Sequence, residues 1–220
     1  MSFVLFIMTI ACYVLSYNLY KRSSRLLLHP IIITSVAIIA LLFIFNIPSE
    51  QYAYGTRVFQ TLLMPVTVSL AVPLYRYRFV ISKHLTPVLT SIIAGAAVGL
   101  VTPLLIVCFM QGNTSLAMSL APKSTTTPIA MVIADYLGGT PSLTAVFTVI
   151  TGLIGSFLAR PLLVLFGIHD SRVIALAIGV SSHGIGTAYV LNESEQYGAF
   201  SAFAMAATGI ITVLFSLALM

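Results

Sequence analysis

Leu120-Ala-Pro-Lys-Ser-Thr-Thr-Thr-Pro-Ile-Ala130 lies in the middle of a stretch, about 112–138, that is apolar at both ends. Proline removes a backbone donor and fixes φ, so Pro122 stops one helix and Pro128 suits the first turn of the next. A second stretch, about 171–193, has the same design, with Ile178-Gly-Val-Ser-Ser-His-Gly-Ile-Gly-Thr-Ala188 at its centre. Gly184 and Gly186 let the backbone there approach another helix or a solute. The two interruptions correspond. Sliding the chain by 58 (143 − 85) sets Leu85–Ala130 on Leu143–Ala188 without a gap, and twelve of the 46 positions are identical. The matches include Thr90/Thr148, Pro103/Pro161, Leu104/Leu162, Leu105/Leu163 and Ser124/Ser182. We read this as an internal duplication.

The surroundings of these stretches decide the solvent. The 220 residues are 59% hydrophobic and 7% charged, with mean hydropathy +1.08. A soluble domain carries roughly 25% charged residues, so lipid must solvate much of this chain. Four further apolar segments precede the first interruption, at about 3–20, 27–47, 58–75 and 86–110, and two more lie at about 141–167 and 197–219. The expected fold is all-α, a polytopic membrane protein of about eight membrane segments, two of them broken or re-entrant. The whole of 1–220 reads as one membrane domain, with 1–84 as a scaffold of N-terminal helices and 85–220 as the two-repeat core. Phe3–Tyr20 has no basic region before it and no small-residue cleavage site after it, so it reads as a retained helix and not a signal peptide.

The net charge of +5 is not a nucleic-acid signature, because the basic residues sit at segment ends: Lys21, Arg22 and Arg25, then Arg76, Arg78 and Lys83. The positive-inside rule places the 21–26 and 76–84 loops in the cytoplasm and both termini outside. Two fates are open for the interrupted segments. Crossing would make the repeats parallel, whereas re-entry would invert the second and bring Arg160, His169 and Arg172 to the cytoplasm. In either case unwound backbone cannot face hydrocarbon, because its N–H and C=O groups would lack partners. Paired breaks therefore point to a binding site, with alternating access provided by movement of the two-repeat unit against the first helices.

The first break offers the parts of a small-anion site. Thr127 is a candidate N-cap, and the helix it starts presents unpaired N–H groups and a positive dipole end. Lys123, Ser124, Thr125, Thr126 and Thr127 stand beside it. The plainer alternative for Lys123 is snorkelling to an interface. The second break offers Ser181, Ser182, His183 and Thr187 as hydrogen-bonding groups. His183 is a candidate proton carrier, with simple packing the alternative. Asp135 either joins that coupling, pairs with Lys123 or Arg160, or caps at the interface. Gly95, Gly99 and Gly152 with Ser156 suit close helix packing. No enzyme is expected: Ser182 and His183 are adjacent, which does not face them together on a helix, and no G-x-S-x-G is present. Cys12 and Cys108 read as small apolar filler, the four His show no metal-ligand spacing, and no cofactor is implied.

Three stretches together resemble the LrgB/CidB family of bacterial inner-membrane proteins: Leu120–Ala130, Gly138-Gly-Thr-Pro-Ser-Leu-Thr-Ala-Val-Phe147 and Ser182-His-Gly-Ile-Gly-Thr-Ala188. One departure is Thr125, where the family's run carries Val. The resemblance implies either holin/antiholin-like control of murein hydrolases and autolysis, with a small LrgA/CidA-type partner, or transport of small monocarboxylates such as pyruvate, glycolate and glycerate. It also suggests a homo-oligomer. The residue chemistry fits transport of a 2-oxo or 2-hydroxy monocarboxylate better, with the carboxylate on the helix N-terminus at Thr126–Ile129 and Lys123 as counter-charge. A lesion-forming holin has no need of duplicated half-sites.

Overall fold

A computed structural model describes residues 2–23 and 29–219, so Arg25 of the first basic loop lies outside the described residues. These residues form helices with no strand among them. Among the described residues, six helical runs are long and apolar enough to cross a membrane: Phe3–Arg22, Arg57–Arg76, Leu85–Phe109, Pro141–Leu165, Ser171–Glu193 and Glu195–Leu217. The chain is a polytopic α-helical membrane protein, and it divides into two compact units, Met1–Ser69 and Leu70–Met220.

The first unit holds α1 (Ser2–Ser23), α2 (Pro30–Ile44), α3 (Ser49–Gly55) and α4 (Arg57–Ser69). Pro30 opens α2 where its missing N–H costs nothing, and Asn46 closes it at φ 50°. Helix α1 packs on α2 and α3. A Thr9–Tyr52 hydroxyl contact of 3.1 Å ties α1 to α3, and stacked Phe6 and Phe59 rings tie α1 to α4. Most other side chains of α1 and α4 point outward and are apolar, as lipid-facing helices require.

The second unit holds α5 (Ala71–Arg76), α6 (Arg78–Ser82), α7 (Leu85–Phe109), α8 (Thr114–Leu120), α9 (Thr127–Tyr136), α10 (Pro141–Leu165), α11 (Ser171–Glu193) and α12 (Glu195–Leu217). Helix α7 illustrates the sidedness. Val88, Ile92, Ala96, Leu100, Pro103 and Val107 recur at helical spacing and are buried, while Val98, Val101, Leu105 and Ile106 are exposed. Val88 and Ile92 of this stripe pack with Ile174, Ile178, Phe200 and Ala204 of α11 and α12. Helices α7, α9 and α10 end on residues in the left-handed region, Gln111, Gly138 and Gly167. At each of these ends a backbone N–H reaches back five residues, as in Gly139 to Ala134 at 2.7 Å.

Both interrupted segments turn back on themselves. In the first, the chain leaves α8 at Leu120 and is beside it again nineteen residues later. The Thr140 N–H donates to Ser119 Oγ at 2.7 Å, and Thr144 Oγ1 donates to the Ser119 carbonyl at 2.9 Å. In the second, α11 reverses at His183, whose φ of 40° and ψ of −132° interrupt the helix. A straight helix would hold residues 178 and 186 about 12 Å apart. Here a Cβ on Gly186 would lie 2.5 Å from Ile178 Cγ2. Ser201 of α12 touches both arms: its hydroxyl is 3.0 Å from Thr187 Oγ1, and its carbonyl would meet a Cβ on Gly179 at 2.3 Å. Length and composition alone would let Ser171–Glu193 cross a bilayer. Folded as it is, each arm reaches roughly 15–18 Å, half of a ~30 Å hydrocarbon core.

The offset of 58 seen in the sequence holds for these elements. It carries α7 onto α10 to within two residues at each end, α8 onto the first arm of α11, and α9 onto the returning arm.

Candidate functional site

The first break is a proline-built loop. Helix α8 ends at Leu120, just before Pro122, and the Thr125 N–H and Oγ1 both donate to the Pro122 carbonyl at 3.0 Å. Thr125 is thereby buried and its hydroxyl used, so it is not free for a solute. The N-cap of α9 is Thr126 and not Thr127. Pro128 occupies the second helical position, so the extended residue that starts the helix falls one place earlier. Its side chain makes no capping bond. Thr126 and Thr127 stay half-buried. The half-buried Lys123 does not snorkel: its Nζ donates to the Gly99 carbonyl of α7 at 3.3 Å. Ser124 packs on the same residue, where a Cβ would come within 3.0 Å of its hydroxyl.

The second break is a one-residue turn with its polar groups consumed internally. His183 is buried, and its Nε2 is 2.9 Å from the Thr148 carbonyl of α10. Ser181 donates to the Ala177 carbonyl and meets Ser182 at 3.0 Å. Ser182 and Thr187 are fully buried, and Thr187 is held by Ser201. Gly186 is buried against Ile178 and Ser182, and Gly184 rests on Met205. The turn sits on glycines of α10: added Cβ atoms would approach His183 to 2.7 Å from Gly152 and Ser182 Oγ to 2.1 Å from Gly155.

The two breaks come together on one face of α7. Gly95 faces Val180 and Gly99 faces Ser124, one helical turn apart. Between them opens a cavity of about 640 Å³. His84, Asp170 and Arg172 stand at one end of it, and Gly95, Gly99, Ser124 and Ser181 at the other, with mainly apolar walls such as Val98, Leu176 and Phe200. Ser124 of the first break and Val180 and Ser181 of the second line it, whereas Thr126–Ile129 do not. Lys123 stands behind Gly99, one carbonyl away.

Asp135 is exposed near the end of α9, and neither expected partner is with it. Lys123 is engaged with Gly99, and Arg160 forms an ion pair with Glu193. At the mouth, Arg172 grips both oxygens of Asp170, which also caps α11, and this holds the Asp170 carboxyl down at about 2. His84 and Asp170 at this mouth, and a line of hydroxyls on α12, stand outside the two sequence motifs. The spacing of Ser201, Thr208, Thr212 and Ser216 would have revealed the latter.

Comparison with known proteins covers nearly the whole chain. The LrgB-like family matches residues 9–220. YwbG of Bacillus subtilis is 31% identical over 94% of this chain and 92% of its own. The holin-like protein CidB of Staphylococcus epidermidis is 32% identical over 95% of this chain and 91% of its own. A Haemophilus influenzae protein is 28% identical over 93% and 89%. No solved structure matches.

Proposed function

The chain belongs to the LrgB-like family, and from that premise we propose that it is a secondary transporter of small monocarboxylates across the bacterial inner membrane. One observation carries the reading: a single cavity ends on both helix breaks, at Ser124 and Ser181. A holin-like lesion gives no reason for two breaks to converge. In this reading the two turned-back segments are half-membrane hairpins of an inverted repeat, entering from opposite faces. The basic residues near the cavity mouth, Lys83, His84 and Arg172, make that mouth cytoplasmic by the positive-inside rule, with both termini outside. The cavity is then the inward-open half of the route. A carboxylate arriving at its deep end meets the Ser124 and Ser181 hydroxyls, and draws Lys123 Nζ from the Gly99 carbonyl to itself, a stronger charge-assisted bond. The open N–H groups at the start of α9, beside Thr126 and Thr127, complete the anion's surroundings when the first hairpin moves.

The test is flux of pyruvate, glycolate and lactate in proteoliposomes. Wild type should saturate, and Lys123→Ala should lose at least tenfold in uptake, a difference of about 1.4 kcal/mol. Equal uptake by both would remove Lys123 from the site.

A second reading, holin-like control of murein hydrolase export and autolysis, is favoured by the name of the staphylococcal relatives. It expects unsaturable release of large dyes, with an LrgA/CidA-type partner or self-association to build the opening. Dye release equal to carboxylate flux would select it.

A further inference from the structure

Helix α12 carries Ser201, Met205, Thr208, Thr212 and Ser216, at spacings of four, three, four and four, along one face. Ser201, Thr208, Thr212 and Ser216 are all buried. The opposite side, Ile210, Leu214 and Leu217, is apolar and exposed, as a lipid-facing side would be. The near half of the line is occupied by the second hairpin: Ser201 bonds Thr187, and Met205 lies against Gly184 at the hairpin's tip. Thr208, Thr212 and Ser216 run on past that tip. What covers this far half includes the start of α9, where Ile129 Cδ1 would be 3.1 Å from a Cβ on Gly209. The far half therefore begins level with the first break.

Thr208 departs from the pattern of its neighbours. Most buried hydroxyls elsewhere in the second unit have a partner, on their own helix as Thr148 does on the Thr144 carbonyl, or across helices as Thr187 does on Ser201. Thr208 is fully buried, and its Oγ1 has no hydrogen-bond partner among the described residues. A buried hydroxyl without a partner is unfavourable. It is explained if this is only one of two states and the hydroxyl meets water or solute in the other. The cavity in hand covers the near side of the breaks and does not touch Thr208.

We infer that Thr208, Thr212 and Ser216 line the far half of the solute route, between α12 and α9, and that it opens when the first hairpin lifts Ile129 off Gly209. The inference rests on the transport reading and supplies the half of the route that the cavity lacks. Hydroxyls and no fixed charge line it, so it suits small hydrated solutes that accept hydrogen bonds.

Accessibility of single cysteines in the full-length protein, with Cys12 and Cys108 replaced by serine, tests this. A charged methanethiosulfonate reagent modifies thiolates formed in water. Applied from each face of the membrane in turn, it should modify Thr212→Cys and Ser216→Cys at least tenfold faster than the lipid-facing Leu214→Cys, and only from the face opposite the cavity mouth. Thr208→Val, which keeps the shape and removes the unpaired hydroxyl, should fold as wild type yet lose several-fold in pyruvate flux. Modification of Thr212→Cys and Ser216→Cys no faster than Leu214→Cys would overturn the inference and leave the line as helix-packing hydroxyls. Fast modification without saturable pyruvate flux would uphold the water-lined route while removing the carboxylate reading.

Discussion

The two helix breaks occupy matching places 58 residues apart, but they are built from opposite materials. The first uses two prolines and spreads over Pro122–Thr126, leaving Lys123, Ser124, Thr126 and Thr127 only half-buried. The second reverses the chain at a single residue, His183, and spends its polar groups on internal bonds to Thr148, Ala177 and Ser201. Proline opens a turn by forbidding hydrogen bonds, so donors and acceptors are left over. A sharp turn between two packed arms leaves no room for leftovers. On the transport reading, the first break therefore offers a solute most of its polar contacts, and the second a packed wall that adds Ser181.

The largest effects should come from glycines at the second break. In Gly179→Ala the new Cβ would sit 2.3 Å from a backbone oxygen of Ser201, which cannot swing away. A loss of about 3 kcal/mol in unfolding stability is expected, the upper part of the usual overpacking range. Gly99→Ala meets only the Ser124 hydroxyl, at 3.0 Å, and should cost less than about 1 kcal/mol by the same measurement. Equal losses would erase the contrast.

His183 gives a sharper test. His183→Ala and His183→Gly both remove the imidazole and its bond to Thr148, but only glycine is at ease at φ 40°. The glycine variant should be more stable than the alanine variant by about 1–2 kcal/mol. A reversed order would mean that the left-handed φ of His183 costs the turn nothing.

Hydroxyl removal separates the roles directly. Thr187→Val should cost about 1 kcal/mol of stability, one net hydrogen bond, with flux preserved. Ser124→Ala should lower flux several-fold while changing stability by less than about 0.5 kcal/mol. The smallest effect concerns the mouth. Asp170 is held below its ordinary value by Arg172, so its ion pair is present above the unfolded pKa of about 4 and is lost only as pH falls through about 2. Between pH 5 and 8 it stays ionised, and the pH profile of flux for Asp170→Asn should follow that of wild type.

Much of this contrast was legible in the residues. Pro122, Pro128 and the gapless repeat located both breaks, and the glycines of α7 and α10 sit against them. The direction of the returning arms was not legible, because Ser171–Glu193 is apolar enough to cross. What turns it back is His183 in a conformation that residue type does not advertise, together with Gly186, whose missing side chain lets the arms touch, and Gly179, which lets the first arm rest on Ser201 of α12. The N-cap fell one residue early because Pro128 tolerates the second helical position as well as the first. The pairing of Arg160 with Glu193 joins residues 33 apart, and such a distance leaves no trace in local spacing.

The reversal at His183 also sets an order of events during synthesis. Both arms of the second hairpin rest on Ser201, which follows Thr187 by fourteen residues. Until the chain beyond Ser201 has emerged, both arms lack their support on α12, and only α7 and α10 are there to receive them. The insertion machinery therefore meets an apolar segment of membrane-crossing length before its last packing partner is made, and the hairpin is complete only once α12 has joined it.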